Sequence, residues 1–205
     1  PLGLSNPTRP DWGGWGGRFV NTVNARIGYI NPTNVNGHDH IWSASKNDSN
    51  WEAKDSFMGH NDSLVPQWRW RPAYQNEFQA RLDWAGTNDV TTANHPPHIT
   101  SSTVDGNPAE EMEVNKGTSL ALAATAEDPD NDTLSYRWWI YSEADNDNHV
   151  NDPYTGPTNI IQDSSTANAT LDVPDGHLSE KMHVILEVTD NGSPALTRYA
   201  RHVLT

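Results

Sequence analysis

The sequence predicts a chain of two unlike parts, in which a first part with one clear helix precedes an all-β immunoglobulin-like sandwich. Short segments of the second part alternate apolar and polar residues, as strands do. One segment of the first part repeats apolar residues at helical spacing. Composition also differs, because seven of the nine tryptophans lie before residue 96 and 18 of the 27 acidic residues lie after residue 95.

The second part contains about seven predicted strands separated by turn residues. Alternation is clear in four segments, and a fifth closes the chain: 119–125, 134–141, 169–173, 181–190 and 196–205. Shorter strands are expected near Ile99 and Met112. Seven strands in roughly 110 residues match the size of an immunoglobulin-like sandwich, with Trp138 in its core. The chain has no cysteine, so we expect a member of this architecture without a disulfide.

The first part contains one predicted helix, in the segment PAYQNEFQARLDW (72–84). Tyr74, Phe78 and Leu82 recur at i, i+4 and i+8, which predicts one apolar stripe along the helix. Residues 1–66 show little periodicity, and so long a stretch without regular structure rarely forms its own core. We therefore expect the first part to be the tail of a domain whose main body lies outside this sequence.

The boundary between the two parts is predicted near Asn94, in the segment TANHPPHIT (92–100). Its two consecutive prolines favour extended backbone and end any preceding helix. The predicted division is therefore 1–93 and 94–205.

Charge is also divided unevenly along the chain. Residues 1–95 carry 9 acidic and 8 basic residues, whereas residues 96–205 carry 18 acidic and 5 basic residues. Because residues 96–205 are so acidic, they will not bind the phosphates of nucleic acid, but they can bind cations. No apolar run approaches the roughly 18 residues of a membrane span, so no membrane insertion is expected.

Five longer segments are similar to a known family: DWGGWGGRF (11–19), RWRPAYQNEFQARLDW (69–84), ANHPP (93–97), EDPDNDTLSYRWWIYSEA (127–144) and VILEVTDNGSPALTRYARHVL (184–204). They resemble the C-terminal part of bacterial cellulose-binding proteins with a nucleoside-hydrolase-like domain. The resemblance implies an α/β fragment, the C-terminal segment of that domain, in 1–93 and an immunoglobulin-like domain in 94–205. It also implies that the larger α/β region, with the acidic cluster that holds calcium in true nucleoside hydrolases, lies before Pro1.

The family resemblance implies extracellular binding of a cellulose-type polysaccharide, by a bacterial protein that is secreted, periplasmic or on the cell surface. A first alternative is the C-terminal portion of a glycosidic or N-glycosidic bond hydrolase whose catalytic acids lie in the N-terminal part. A second is an extracellular scaffold that assembles subunits. Expected partners are the polysaccharide, the N-terminal portion as a domain or separate chain, and further copies in a homo-oligomer. Catalysis by this chain alone is not expected, because Glu77 and Asp83 do not face one another on the helix.

Carbohydrate contacts are predicted in the segment DWGGWGGRF. Its four glycines can adopt positive φ and would carry Trp12 and Trp15 to the surface. Flat indoles pack on the C–H faces of sugars, while neighbouring charged groups bind hydroxyls. The candidates are Asp11, Trp12, Trp15 and Arg18, with Trp42 and Trp51 as weaker ones. The alternative is that the segment is a tight packing turn.

Tryptophan and arginine alternate in the segment WRWR (68–71), which suggests a short extended stretch before the helix. Guanidinium groups stack on indoles and pair with carboxylates. The favoured interpretation is that these residues fix the helix to the absent α/β body. The alternative is an aromatic platform for sugar rings.

A calcium site is predicted in the second part. Asp128, Asp130 and Asp132 alternate after the strand 119–125, and carboxylate oxygens at such spacing suit Ca²⁺. In an immunoglobulin-like sandwich, the loop with Asp190 falls at the same end, and the entry segment with Asn94 starts nearby. These five side chains are the candidate ligands. The alternative is that the acidic loop is simply favourable turn chemistry.

Overall fold

The structure is a computed structural model that describes residues 3–21, 42–43, 55–62, 64–87, 89–144, 160–175 and 181–205. Within these ranges, two α-helices are present: α1 (Val65–Trp68) and α2 (Arg71–Gly86). Short 3-10 helices span Pro10–Trp12, Val90–Thr92 and Ser142–Ala144. No helix in this part of the chain is long and apolar enough to cross a membrane.

The strands of the described residues are mostly short in the first part and longer in the second. Those of the first part are β1 (Val20–Asn21), β2 (Trp42–Ser43), β3 (Asp55–Phe57) and β4 (His60–Asp62). Those of the second part are β5 (His98–Val104), β6 (Glu111–Met112), β7 (Ser119–Glu127), β8 (Ser135–Ile140), β9 (Ile161–Gln162), β10 (Asn168–Asp172), β11 (Met182–Thr189) and β12 (Thr197–Leu204). The chain is therefore rich in β-structure, as predicted.

The eight strands of the second part form two four-stranded sheets. The first sheet has the order β5-β7-β10-β9, and all of its pairs are antiparallel. The second sheet has the order β6-β12-β11-β8, in which only the pair of β6 with β12 is parallel. Strands that are distant in sequence are thus neighbours, so the sheets form only when the whole second part folds.

The main hydrophobic core lies between these two sheets. Leu120 and Leu122 of β7 are buried in it together with Val184 and Leu186 of β11, which confirms the alternation predicted for both segments. Trp138 of β8 is buried in the same core, and its indole N–H donates to a backbone carbonyl at 3.1 Å. The buried indole is therefore paired, as buried polar groups usually are.

The first part of the chain covers the outer face of the second sheet. Trp70 lies at the centre of this contact and is only 2% exposed. Its ring centroid lies 5.5 Å from that of Tyr199 and 5.8 Å from those of Trp139 and Tyr141. Ile185 of β11 belongs to the same cluster. β11 is consequently buried on both faces, whereas the alternation in its sequence predicts a buried core on only one face.

Ion pairs reinforce the contact of the first part with the second sheet. Arg69 Nη2 donates to Glu143 at 2.6 Å, and the Arg69 guanidinium lies 4.7 Å from the ring centroid of Tyr141. Arg198 Nη1 of β12 donates to Glu77 of α2 at 2.8 Å. Arg69 and Trp70 of the segment WRWR therefore fix the start of α2 to this same chain, and the expected contact with an α/β body outside the sequence stays a prediction. The boundary near Asn94 stays a prediction.

Helix α2 is confirmed, but its apolar stripe does not face the rest of the chain. Phe78 is 64% exposed and Leu82 is 56% exposed, while Glu77 and Ala80 are buried. The reason is that Trp70 at the start of the helix fixes its rotation, and positions 73, 77, 80 and 84 follow Trp70 on the same face. Trp68 is the last residue of α1, and Arg69 and Trp70 have right-handed helical backbone angles, so the expectation of an extended stretch in the segment WRWR is wrong.

We expect Trp70→Ala to lower the free energy of unfolding by about 3–5 kcal/mol, because it removes a large buried ring from the aromatic cluster. Phe78→Ala on the same helix removes an exposed ring and should change stability by less than about 0.5 kcal/mol. Urea unfolding followed by circular dichroism measures both. Equal midpoints for the two variants would show that Trp70 does not hold α2 on the sheet.

Candidate functional site

The segment with Trp12 is held against the second sheet by a buried arginine. Arg201 Nη1 donates to the backbone carbonyl of Trp12 at 2.7 Å, and Nη2 donates to that of Gly13 at 3.1 Å. Arg201 Nη1 also lies 3.0 Å from Nδ1 of His183, whose ring packs edge-on against Trp12. Gly13 has φ of 77°, and a Cβ there would lie 2.8 Å from the Tyr141 hydroxyl. Only glycine permits this approach.

The predicted sugar-contact residues of this segment are largely turned inward. Trp12 is 0% exposed and Arg18 is 6% exposed. Asp11 is paired with Arg9, and Trp15 is half-buried with its ring against Tyr199. The expectation that the glycines carry both indoles to the surface is wrong for Trp12, because the glycines allow close packing instead.

Two further tryptophans were predicted as weaker sugar contacts. Trp42 lies in β2, which pairs with β1, and Trp51 lies outside the described residues. Sugar contact by these residues, and by those of the segment 11–19, stays a prediction.

Trp68 is the most exposed tryptophan among those whose side chains the structure describes, at 38%. The ring of His60 from β4 packs edge-on against it, with 5.9 Å between ring centroids. Because α1 ends at Trp68 and α2 begins at Arg71, the turn between them points Trp68 outward and Trp70 inward. In the extended stretch predicted from the sequence, the indoles of Trp68 and Trp70 would share one face. The prediction therefore missed this difference between them.

The predicted acidic cluster is assembled in the structure. Carboxylate oxygens of Asp128, Asp130 and Asp132 lie within 4.8 Å of one another. Asp128 Oδ1 accepts hydrogen bonds from the backbone N–H groups of Asp130 at 2.9 Å and Asp132 at 3.1 Å. Its other oxygen, Oδ2, is buried and has no hydrogen-bond partner. One half of this carboxylate thus holds the turn, and the other half is unpaired.

Asp190 has the same division between its two oxygens. It is 4% exposed, and its Oδ1 accepts from Asn94 Nδ2 at 3.1 Å, Gly192 N at 3.0 Å and Leu196 N at 2.9 Å. Its Oδ2 is buried without a hydrogen-bond partner. Three donors therefore fix the orientation of a carboxylate whose second oxygen is unused.

The entry segment joins the acidic loop to the end of α2. The backbone N–H of His95 donates to Asp130 Oδ2 at 2.6 Å, and the His95 ring nitrogen Nδ1 lies 3.1 Å from Asp130 Oδ1. The ring of Trp84 stacks on His95, with 5.4 Å between centroids, and its indole N–H donates to the carbonyl of Asn94 at 2.8 Å. The predicted juxtaposition of Asn94 with the two acidic loops is therefore present.

Negative charge is concentrated at this junction. Removal from water raises the pKa of the Asp132 carboxyl, and the charges of Asp128, Asp190 and Asp130 raise it further. Since Asp190 comes from the β11–β12 loop and the other three from the loop after β7, the fold itself brings these charges together. The arrangement can attract a cation.

Glu77 is buried and ion-paired with two arginines, Arg81 of its own helix and Arg198 of β12. Burial raises its pKa, but hydrogen bonds and charges from Arg198 and Arg81 outweigh this and lower its pKa below the ordinary value. Arg81 Nη2 donates to Glu77 at 2.7 Å, the i, i+4 pair that stabilises helices.

Comparison with known proteins identifies the relatives of the second part. Residues 119–205 match the family model described as cellulose-binding protein Sde0182, C-terminal domain. The family resemblance predicted from the sequence is therefore confirmed for these residues. Among curated proteins, none matches the chain.

One solved structure is similar along nearly the whole chain. It is described as a nucleoside hydrolase-related hypothetical protein from Saccharophagus degradans that is associated with carbohydrate metabolism. The two share 30% sequence identity with a TM-score of 0.67, over 99% of this chain and 44% of that chain. This chain thus spans less than half the length of that protein. A Dscam structure shares 12% identity with a TM-score of 0.32, over 55% of this chain and 25% of that one.

We expect acid to destabilise the protein through His183. Burial, followed by the charges of Arg201 and other nearby cations, lowers the pKa of His183 well below its ordinary value. Below about pH 6.5 the unfolded chain binds a proton that the folded chain resists, so stability should fall by up to about 1.4 kcal/mol per pH unit until the folded pKa is reached.

His183→Gln should reduce by about one the number of protons taken up on unfolding between pH 7 and pH 5, and so flatten the pH dependence of stability. Urea unfolding at several pH values measures this dependence. His98→Gln, a change at an exposed histidine of β5, is the matched control and should keep the wild-type slope. The same slope in both variants would contradict the assignment to His183.

Proposed function

We propose that this chain is the polysaccharide-binding C-terminal part of a larger nucleoside-hydrolase-related protein, which is secreted, periplasmic or on the bacterial cell surface. The observation that carries the proposal is the match of residues 119–205 to the C-terminal domain of a cellulose-binding protein. The similar solved structure, whose description links it to carbohydrate metabolism, supports the same ligand class. A cellulose-type polysaccharide is the ligand proposed for this chain.

The same proposal includes the finer division of the fold. Residues 94–205 are assigned to an immunoglobulin-like sandwich, because β5, β7, β10 and β9 follow the A-B-E-D order of that architecture and β12, β11 and β8 follow its G-F-C order. Residues 1–93 are assigned to the C-terminal segment of an α/β nucleoside-hydrolase-like domain. Similarity to the nucleoside hydrolase-related structure over 99% of this chain supports that assignment.

The sugar-contact surface that the geometry supports best includes Trp68. A sugar ring packs its C–H face on an indole only where the indole meets solvent, and Trp68 is exposed whereas Trp12 is not. The edge-on contact of His60 restricts the orientation of the Trp68 ring, which reduces the ordering cost of binding. Trp15, Trp42 and Trp51 remain candidates for further contacts.

The N-terminal portion of the larger protein is proposed to cover the outer face of α2. Phe78 and Leu82 project from this face and are more than half exposed. This chain spans 44% of the length of the similar solved protein. A protein of that full length would contain further residues that can bury Phe78 and Leu82. Burial of two such side chains stabilises an interface by about 1.5–3 kcal/mol each.

A second candidate function is hydrolysis of a glycosidic or N-glycosidic bond by the whole protein. It is favoured by the description of the similar structure as nucleoside hydrolase-related. The catalytic acids would then lie in the N-terminal portion, since Glu77 is occupied by Arg198 and Arg81. Release of sugar or free base by the full-length protein, with none released by residues 1–205 alone, would favour this function over binding alone.

Trp68→Ala should weaken binding of this chain to microcrystalline cellulose by about tenfold, because stacking on one exposed indole contributes roughly 1–2 kcal/mol. Sedimentation with cellulose measures the bound fraction. Phe78→Ala removes a different exposed ring and should bind as the wild type does.

Different results would contradict the role of Trp68 and polysaccharide binding itself. Wild-type affinity in Trp68→Ala would exclude Trp68 as a contact and direct attention to Trp15, Trp42 and Trp51. No sedimentation of the wild-type chain with cellulose or related polysaccharides would contradict the binding function itself.

Phe78→Asp should leave the stability of this chain nearly unchanged, because the side chain is exposed. In the full-length protein the same change should lower the melting temperature by several degrees, since it places a charge in an apolar interface. Asp83→Asn, a change at an exposed polar residue of α2, is the control. Equal effects of Phe78→Asp in both lengths would show that no N-terminal portion covers this face.

A further inference from the structure

We propose that the junction between Asp128, Asp130, Asp132 and Asp190 binds Ca²⁺ and thereby joins the end of α2 to the two acidic loops. The site is separate from the Trp68 surface and does not depend on carbohydrate binding. It joins three segments that are distant in sequence: the entry segment 94–95, the loop after β7 and the loop between β11 and β12.

Two carboxylate oxygens at this junction are unpaired. Oδ2 of Asp128 and Oδ2 of Asp190 are buried and have no hydrogen-bond partner, and Asp190 as a whole is 96% buried because only 4% is exposed. An unsatisfied buried acceptor costs about 1–3 kcal/mol and more when it is charged. The charge of Asp190 acts on Asp132, so the buried Asp190 carboxylate lies near the acidic loop. Turn formation uses only the Oδ1 atoms of Asp128 and Asp190, and a cation at the junction would pair with the remaining oxygens.

Hydrogen bonds within the chain already hold these carboxylates in place without an ion. Asp190 Oδ1 accepts from two backbone N–H groups and from Asn94, whose amide also donates to the carbonyl of Pro194 at 2.8 Å. Asp128 Oδ1 accepts from two backbone N–H groups of its own turn. Asn94 therefore acts here as a positioning residue for Asp190, while the sequence analysis predicted it as a ligand.

The donor set selects a hard divalent cation. The candidate donors are carboxylate oxygens, which suit Ca²⁺ or Mg²⁺, and no cysteine exists in the chain. Three of the four acids come from one irregular turn with oxygens up to 4.8 Å apart. Such irregular spacing suits Ca²⁺, which accepts six to eight oxygens in flexible geometry at about 2.3–2.6 Å, better than Mg²⁺, which demands a near-ideal octahedron.

Ca²⁺ at this position would stabilise the connection between the helix and the sandwich. His95 contacts Asp130, and Trp84 stacks on His95, so the ion would be linked to α2 through two side chains. Because the folded chain presents the site and the unfolded chain does not, binding should raise the melting temperature.

Calorimetric titration of the EGTA-treated full chain with CaCl₂, together with the melting temperature with and without Ca²⁺, tests the proposal. We expect binding with a Kd of about 10⁻⁵–10⁻³ M, a melting temperature that rises by several degrees, and weaker binding of MgCl₂. Asp190→Asn and Asp132→Asn should each weaken Ca²⁺ binding by about tenfold or more. Asp190→Asn removes a carboxylate that holds its loop together and could prevent folding. Asp132 contributes to the described hydrogen bonds only through its backbone N–H, so the Asp132→Asn variant should fold.

Glu113→Gln is the matched control, because it removes one negative charge at an exposed position near the opposite end of β12. It should bind Ca²⁺ as the wild type does. The proposal is overturned if the wild type shows neither heat nor a shift in melting temperature at about 10 mM CaCl₂, or if Glu113→Gln and Asp132→Asn weaken binding equally. Failure here leaves carbohydrate binding untouched, since cellulose sedimentation in EGTA measures that function separately.

Discussion

Trp70 packs on an aromatic surface that a β-sheet of this chain presents on its outer face, and the arrangement of the first part follows from that contact. Tyr199, Trp139 and Tyr141 would meet water if nothing covered them, and large exposed apolar patches are unfavourable in soluble domains. Trp70 covers all three rings. The start of α2 is thereby fixed, and the remaining polar contacts, such as Glu77 with Arg198, become possible.

The same outer face also accommodates a buried charge. Arg201 lies on β12 beside this aromatic surface, and its guanidinium is paired with the carbonyls of Trp12 and Gly13 and with His183. A buried cation is tolerated only when polar groups are paired with it. The glycine-rich segment therefore packs closely against the sheet to supply backbone carbonyls, and its indole at Trp12 is buried as a consequence.

Helix α2 connects two regions to which we assign different roles. Trp68 lies three residues before the helix begins at Arg71, and Trp84 near its end contacts the acidic junction through His95. Sixteen residues at 1.5 Å each give a helix of about 24 Å, so a cation at one end and a polysaccharide at the other would not compete for space. The outward face of the helix, with Phe78 and Leu82, is exposed between these two regions.

The local pattern was sufficient to predict the strands, the helix and the position of Asn94 beside the two acidic loops. Period-two alternation identifies the inward residues of β7, β8, β10 and β11, because each of these strands has a face in the core between the sheets. The acidic loops could be placed together because sandwich topology puts them at one end. Which face of α2 is buried, and which of Trp12, Trp68 and Trp70 meets solvent, was decided only by the tertiary structure. Periodicity shows that a segment has an apolar face, but burial depends on which distant surface that face meets, and here the aromatic face of the second sheet and the Arg201 guanidinium decided it.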